Sequence, residues 1–370
     1  MKKIICFCLT LFVFSLMPVG AVSTSAKAAA VINGDTGEII YAQNADERLP
    51  MASTTKIMTA LLLCENADLN EEITVTADML RVEGSSMGLL AGDRVTYHDL
   101  LYGMMLASGN DAANVTAISI GGTVEKFAVL MNKKAEELGL CNTHFVTPSG
   151  LDAQGHYTTA RELALLAAYA LKNEAFAKAA ASESAVLNYG NPPYRRSLTN
   201  HNKMLKLFDG AVGVKTGFTK KSGRCLVSAA RRDGKLAVAV TLNDPDDWND
   251  HAKLLKLGLD SIKQTRYSPN ISCYNIPVIG SSEEQIEVFI EPYTVNTLET
   301  EDISCEVNLP KFLYAPVSKG DILGTAEYKM GGEVIGRVEL TALRDIPALP
   351  QKISFYDEIK QNIRYILKCI

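Results

Sequence analysis

One hydrophobic segment places the strongest constraint on how this chain can fold. Residues 57–64, Ile-Met-Thr-Ala-Leu-Leu-Leu-Cys, would carry apolar side chains on nearly every side of a helix. A helix that is apolar all round is buried in a core. We predict that it begins at Ser53, because serine is a preferred residue type at helix N-termini. The chain is therefore expected to fold around this helix.

Ser53 and Lys56 stand at the start of this helix, three positions apart. Residues at this spacing lie on the same face of a helix. A serine hydroxyl becomes a nucleophile when a neighbouring base takes its proton, and a desolvated lysine can be that base. The pair is therefore a candidate for nucleophilic catalysis, although a capping serine followed by a surface lysine would produce the same spacing.

Length and composition describe a globular protein with more than one domain. The chain has 370 residues, of which 47 % are hydrophobic and 21 % are charged. This length exceeds that of one ordinary core, so we expect two domains with accessory segments. The formal net charge of -5 gives no support for binding to nucleic acid. The eight cysteines show no spacing typical of zinc or redox sites, and a Cys273–Cys305 disulfide remains open.

The N-terminus has the pattern of an export signal. Two lysines precede an apolar stretch over residues 4–19, and Ala26-Lys27-Ala28 forms a small-x-small cleavage site. The stretch is short for a transmembrane anchor, which is the alternative interpretation. We therefore predict a signal peptide over residues 1–28, with Ala21 as a second candidate for the cleavage site.

Hydrophobic periodicity divides the remaining chain into regions of different structure. A hairpin is predicted around the glycine-rich turn at residues 33–37, and mainly helical patterns follow from Glu65 to about Arg195. Residues 211–242 predict an antiparallel meander of three strands, and residues 247–262 a helix that packs on it. Residues 274–347 predict a small all-β domain, because short alternating segments there are separated by turns.

The C-terminal residues 351–370 have the pattern of an amphipathic helix. Apolar side chains recur at helical spacing, and charged side chains fall mainly on the other side. Such a helix lies in the interface of a membrane rather than across it. The segment is therefore predicted to anchor the protein at a membrane surface. The alternative is a helix packed on the β-domain or on a second chain.

Two further polar motifs accompany Ser53 and Lys56. Ser108-Gly109-Asn110 occupies a tight turn between two predicted helices, and Lys215-Thr216-Gly217 lies at the end of the first strand of the meander. Glycine in the latter position permits close approach by a ligand, while lysine and threonine offer positive charge and a hydroxyl. Each motif alone is equally consistent with a helix connection or with a strand entering a turn.

The three motifs, in this order, resemble those of the penicillin-binding proteins and class A β-lactamases. The chain is similar to a low-molecular-mass penicillin-binding protein, a serine-type D-alanyl-D-alanine carboxypeptidase of peptidase family S11. The resemblance implies an α+β fold. A β-lactamase-like catalytic domain with an antiparallel sheet and a helical lobe would span residues 29–270 and be followed by the β-domain and the C-terminal helix.

The resemblance also implies roles for the residues of the first two motifs. Ser53 would attack the carbonyl between the two terminal D-alanines of a peptidoglycan stem peptide, and Lys56 would accept its proton. Ser108 would relay a proton to the leaving amine. Asn110 would orient Lys56 and the substrate amide.

The third motif would bind the substrate. Lys215 and Thr216 would hold the terminal carboxylate, next to Gly217, and the backbone N–H groups of Ser53 and Phe218 would form an oxyanion hole. Many relatives have a histidine in the position of Phe218, and an arginine that some carry beyond the third strand has no clear counterpart here. No metal or organic cofactor is required, and β-lactam antibiotics would act as covalent inhibitors.

Two other functions remain open from the sequence. A β-lactamase-like hydrolase would use the same motifs, and a catalytically idle scaffold would bind cell-wall peptides without turnover. The intact motifs argue against the scaffold. Glu162 lacks the asparagine context of the glutamate that activates water in class A β-lactamases, and both Glu162 and His156 are expected to be structural. The protein is expected at the outer face of the cytoplasmic membrane or in the cell wall.

Overall fold

The structure, a computed structural model, describes residues 22–298 and 303–349 together with residues 360 and 363. The chain divides into two units, residues 1–260 and residues 261–370. The apolar stretch of the predicted signal peptide lies outside the described residues, and so does the predicted C-terminal helix apart from residues 360 and 363.

The first unit combines a helical lobe with an antiparallel sheet. Its helices are α1 (Lys56–Asn66), α2 (Tyr97–Met105), α3 (Asn110–Gly121), α4 (Val124–Glu137), α5 (Ala160–Ala170), α6 (Glu174–Ala181), α7 (Met204–Leu207) and α8 (Asp247–Ser261). Its strands are β1 (Ala28–Asn33), β2 (Ile39–Gln43), β3 (Glu72–Thr74), β4 (Arg94–Thr96), β5 (Ser184–Gly190), β6 (Pro193–Thr199), β7 (Ala211–Thr219), β8 (Gly223–Arg232) and β9 (Lys235–Leu242). The main sheet has the strand order β2-β1-β9-β8-β7.

The centre of this sheet is covered by helices on both faces. Every residue of β1 is buried. Ala28, Ala30 and Ile32 belong to the core shared with the helical lobe. Val31 points to the other face, where a Cβ added to Gly258 of α8 would lie 3.0 Å from it. The continuous apolar sequence of β1 follows from this two-sided burial, because alternate side chains enter opposite cores.

The predicted meander and the helix that follows it are confirmed by β7, β8, β9 and α8. The mainly helical interpretation of the region up to Arg195 was wrong at its end, where β5 and β6 form an antiparallel hairpin. Most residues of β6 are exposed or only partly buried. The hairpin therefore lacks the apolar alternation by which a half-buried strand is recognised.

The second unit is built of strands over residues 263–341. These are β10 (Lys263–Tyr267), β11 (Cys273–Ile279), β12 (Gln285–Phe289), β13 (Tyr293–Thr297), β14 (Ile303–Asn308), β15 (Leu313–Tyr314), β16 (Ile322–Met330) and β17 (Glu333–Thr341). They form a core of their own around the buried ring of Tyr328. The prediction of a C-terminal all-β domain is thereby confirmed.

Two details of this unit bear on the sequence analysis. β10 pairs with β13, so residues 263–267 belong to the β-domain although the predicted catalytic domain extended to residue 270. Cys273 and Cys305 are both free thiols. In the part of the chain that is described, no helix is long and apolar enough to cross a membrane.

Candidate active site

The nucleophile candidate lies in a short 3₁₀ turn and not at a helix cap. The turn spans Ala52–Thr55, and α1 begins at Lys56, so the prediction that the helix begins at Ser53 was wrong. Side chains three residues apart eclipse each other in a 3₁₀ helix. This geometry brings Ser53 Oγ within 2.9 Å of Lys56 Nζ. The tight turn therefore supplies the contact for which the α-helical spacing was invoked.

The Lys56 amine is fully buried and surrounded by oxygen atoms. Its Nζ lies 2.7 Å from both Asn110 Oδ1 and the Ser149 backbone oxygen. Burial holds the pKa of Lys56 well below its usual value, and the positive charge of Lys215 lowers this pKa further. A neutral amine has two N–H groups, and because carbonyl oxygens can only accept, both are taken by Asn110 and Ser149. Its lone pair then faces the Ser53 hydroxyl.

The second motif is held by the loop that precedes β4. Asn110 Nδ2 donates to the Glu83 backbone oxygen at 2.6 Å, which leaves Oδ1 as the acceptor for Lys56. Asp111 accepts the backbone N–H groups of residues 87–89 and so ties this loop to the start of α3. Ser108 adopts a left-handed backbone conformation with φ of 56° and lines the cleft in front of Ser53.

The third motif runs along the strand β7 beside the 3₁₀ turn. Lys215 is buried, donates to the Thr216 backbone oxygen at 3.2 Å, and has its pKa lowered to about 7 by burial. A Cβ added to Gly217 would lie 3.0 Å from Ser53 N and 3.1 Å from the Met51 oxygen. Glycine here therefore permits close approach of the strand to the nucleophile turn itself.

A cleft of about 310 Å³ opens in front of Ser53. The predicted residues that line it are Ser53, Ser108, Thr216, Gly217 and Phe218. Lys56 and Asn110 lie behind Ser53 through their hydrogen bonds, and Lys215 is buried beside Thr216. Three motifs from distant parts of the chain are thus brought to one site. Among the described residues, no group of three histidine, cysteine, aspartate or glutamate side chains could hold a metal ion.

The cleft is also lined by five residues that were not predicted from the sequence. They are Ser85, His201, Arg224, Asp247 and Trp248. Arg224 pairs with Phe218 across the β7–β8 hairpin, and its Nε and Nη2 donate to the Asp247 carboxylate at 2.7–3.1 Å. The sequence contained a usable signal, because counting the register across this hairpin places Arg224 next to the third motif.

The loop over residues 147–157 packs against the other side of the nucleophile turn. Gly150 has φ of 87°, and a Cβ added to it would lie only 1.9 Å from the Ala52 oxygen. The same loop is tied to α1 by Thr59 Oγ1, which donates to the Pro148 oxygen at 2.6 Å. The backbone around Ser53 is therefore enclosed between Gly150 on one side and Gly217 on the other.

Taken together, the fold and the site define a serine acyl-transfer enzyme. The family model of D-alanyl-D-alanine carboxypeptidases matches residues 16–246, and that of the penicillin-binding protein 5 C-terminal domain matches residues 263–348. D-alanyl-D-alanine carboxypeptidase DacF of Bacillus subtilis is 34 % identical over 351 residues, covering 91 % of this chain and 89 % of the relative. DacC of Escherichia coli is 30 % identical over 349 residues, covering 89 % and 86 %.

This chain is also similar to solved structures of such enzymes. The D-alanyl-D-alanine carboxypeptidase DacD of Francisella tularensis aligns with a TM-score of 0.64 and 27 % identity, over 89 % of this chain and 95 % of that one. The Streptomyces K15 DD-transpeptidase aligns with a TM-score of 0.62 and 32 % identity, over 64 % and 98 %. This chain belongs to the peptidase S11 family of D-alanyl-D-alanine carboxypeptidases, which confirms the resemblance carried by the three motifs.

The packing of the loop on the nucleophile turn predicts different effects for two glycine substitutions. Gly150→Ala and Gly155→Ala both place alanine at a positive φ, which costs roughly 1–2 kcal/mol. Only Gly150→Ala also presses on the Ala52 carbonyl, since the nearest atom to a Cβ at Gly155 is 3.8 Å away. We expect acylation by a fluorescent penicillin to fall at least tenfold in Gly150→Ala and to change less than twofold in Gly155→Ala. Equal rates in the two variants would contradict this role for Gly150.

Proposed function

We propose that this enzyme removes the terminal D-alanine from peptidoglycan stem peptides through an acyl-enzyme on Ser53, and that β-lactams acylate the same hydroxyl. The contact between Lys56 Nζ and Ser53 Oγ carries this proposal. A nucleophile is in direct contact with a base, and burial together with the charge of Lys215 favours the uncharged form of that base.

In the proposed reaction, the lone pair of Lys56 takes the hydroxyl proton as Ser53 Oγ attacks the carbonyl carbon between the two D-alanines. The tetrahedral oxyanion accepts hydrogen bonds from the backbone N–H groups of Ser53 and Phe218. Ser108 gives its proton to the leaving nitrogen and receives the proton held by Lys56, the carbon–nitrogen bond breaks, and D-alanine leaves. Water then attacks the ester and loses a proton to Lys56, the bond to Ser53 Oγ breaks, and Lys56 returns the proton to Ser53.

Recognition of the substrate carboxylate is assigned to Thr216, Lys215 and Arg224. Lys215 is buried, and its pKa of about 7 makes its charge incomplete near neutral pH. Arg224 brings a guanidinium group to the same cleft. Its bonds to Asp247 use Nε and Nη2. They leave the N–H groups of Nη1 for a carboxylate.

The identity of the nucleophile and of the reaction can be tested together. Incubation with a penicillin should add its mass to the peptide that contains Ser53, and the adduct should be absent in Ser53→Ala. The wild-type enzyme should release D-alanine from a D-Ala-D-Ala peptide over many cycles, while it hydrolyses a chromogenic cephalosporin slowly. Rapid cephalosporin hydrolysis without D-alanine would favour a β-lactamase, and an adduct without D-alanine release would favour a scaffold.

The proposed role of Lys56 as the base predicts how the acylation rate depends on pH and how strongly a substitution of Lys56 lowers it. Because Lys56 acts in its neutral form and its pKa is lowered, the acylation rate should rise with pH through that lowered pKa and fall as the amine is protonated.

Lys56→Arg keeps a positive charge that is not lost near neutral pH. We expect its acylation rate to drop by orders of magnitude with the fold retained, as measured by circular dichroism. A rate above about a tenth of wild type, about 1.4 kcal/mol in barrier, would point to another base.

The proposed location is the outer face of the cytoplasmic membrane, since members of this family act on peptidoglycan in the periplasm or cell wall. Contacts near the N-terminus favour Ala21 over Ala28 as the cleavage site. Ser25 Oγ donates to Asp244 at 2.6 Å, and the Ser25 N–H donates to Asp250 at 2.7 Å. Cleavage after Ala28 would remove these contacts. The anchoring role of residues 351–370 is proposed from their amphipathic pattern alone.

Fractionation of cells that export the protein tests both proposals. The full chain should sediment with membranes, and its N-terminal residue should be Val22. A variant truncated before Pro350 should appear in the soluble fraction and release D-alanine at the wild-type rate. Continued sedimentation of the truncated form would place the anchor elsewhere. An N-terminus at Ala29 would mean that the signal peptide is cleaved after Ala28.

A further inference from the structure

His156 lies outside the cleft and yet is hydrogen-bonded towards the nucleophile turn. It is buried, and burial lowers its pKa from 6.5 to about 4, so the ring is neutral near pH 7. The Val146 backbone N–H lies 2.9 Å from Nδ1. Because an N–H group can only donate, Nδ1 is the acceptor, and the proton of the neutral ring is on Nε2.

Thr55 extends this chain of hydrogen bonds to the backbone. Its Oγ1 lies 2.8 Å from His156 Nε2 and 2.8 Å from the Ala52 oxygen. The carbonyl can only accept, so the hydroxyl proton goes to Ala52 and the hydroxyl oxygen receives Nε2–H. Each hydrogen bond from the Val146 N–H through His156 and Thr55 to the Ala52 carbonyl therefore has a defined donor and acceptor.

The Ala52 carbonyl and the Ser53 N–H belong to one peptide group. The peptide is planar, so a bond that fixes the carbonyl oxygen also fixes the direction of the N–H. A hydrogen bond to the carbonyl also polarises the amide and strengthens its N–H as a donor. Ala52 has φ of 47°, a conformation that alanine adopts infrequently without outside support. The orientation of this peptide group thus depends on its surroundings.

We propose that His156, acting through Thr55, is a positioning residue that orients and polarises the Ala52–Ser53 peptide so that its N–H serves the oxyanion hole. The inference rests on the proposed function, because it concerns the intermediate formed on Ser53. A purely structural bond between the loop over residues 147–157 and the 3₁₀ turn would affect stability alone, whereas this proposal requires an effect on the rate of the chemical step.

The chain offers a matched control in Thr59. Thr59 lies in α1, four residues after Thr55, is likewise fully buried, and donates from its Oγ1 to the Pro148 oxygen of the same loop. Thr59→Val therefore removes one buried hydroxyl that bonds the loop over residues 147–157, as Thr55→Val does. Only Thr55→Val removes the bond to the Ala52 carbonyl, and Thr55→Ser keeps that bond while it loses the methyl group.

The test compares these three variants with the wild type. We measure kcat and KM for D-alanine release, the rate of acylation by a penicillin, the melting temperature, and the infrared stretching frequency of the acyl-enzyme carbonyl. Removing a whole oxyanion-hole donor costs roughly 10²–10³ in kcat, so misdirecting one is expected to cost about tenfold. Thr55→Val should therefore lose about tenfold in kcat and in acylation with little change in KM, and its acyl carbonyl should absorb at a higher frequency. Thr55→Ser and Thr59→Val should retain the wild-type frequency and most of the rate.

Several outcomes would overturn the inference. They are a wild-type rate and carbonyl frequency in Thr55→Val, or equal losses in Thr55→Val and Thr59→Val. Should Thr55→Val not fold, His156→Gln and His156→Leu replace it, since glutamine keeps an N–H donor and leucine does not; equal activity in these two would overturn the inference. Failure of the proposed function is distinguishable, because the wild type would then neither form the Ser53 adduct nor release D-alanine.

Discussion

The burial of the Lys56 amine is the interaction on which the rest of the site depends. A charged ammonium without solvent is costly, and the neighbouring positive charge of Lys215 adds to the cost of protonation. The neutral amine, in contrast, is well accommodated, because two oxygen acceptors from different segments take its N–H groups. The contacts of one nitrogen atom thus require the start of α1, the start of α3 and the loop over residues 147–157 to converge.

Close backbone packing supplies a second constraint around Ser53. Gly150 and Gly217 both pack against the 3₁₀ turn: a Cβ at Gly150 would overlap the Ala52 carbonyl, and a Cβ at Gly217 would be in tight contact with Ser53 N. Ala52 is kept in a left-handed conformation between them. Hydrogen bonds position the reacting side chains, and this packing, together with the bond from Thr55 to the Ala52 carbonyl, positions the Ser53 N–H that would donate to the oxyanion. The lack of a side chain at these two positions is therefore part of the geometry of the site.

The chemistry of the site could be predicted from sequence further than its geometry. Ser53, Lys56 and the two later motifs were found because they bear the reactive groups, and the fold class followed from the resemblance that they carry. The 3₁₀ turn was missed because a helix-capping preference explained the same serine equally well. Thr55 and His156 are 101 residues apart, and no periodic pattern links them. Their bond exists only because the tertiary fold places the loop against the 3₁₀ turn.

Glu162 separates this site from that of a class A β-lactamase by its contacts. Its carboxylate accepts the Asn142 backbone N–H at 2.8 Å and the Thr143 hydroxyl at 2.5 Å, and it is not among the residues that line the cleft. A carboxylate occupied in this way is not placed to activate water beside Ser53. Deacylation would then rely on groups that already serve acylation. A peptide acyl-enzyme has lost its D-alanine and leaves room for water, whereas a β-lactam keeps its leaving nitrogen attached through the opened ring. The same site would therefore turn over a peptide and remain blocked by an antibiotic.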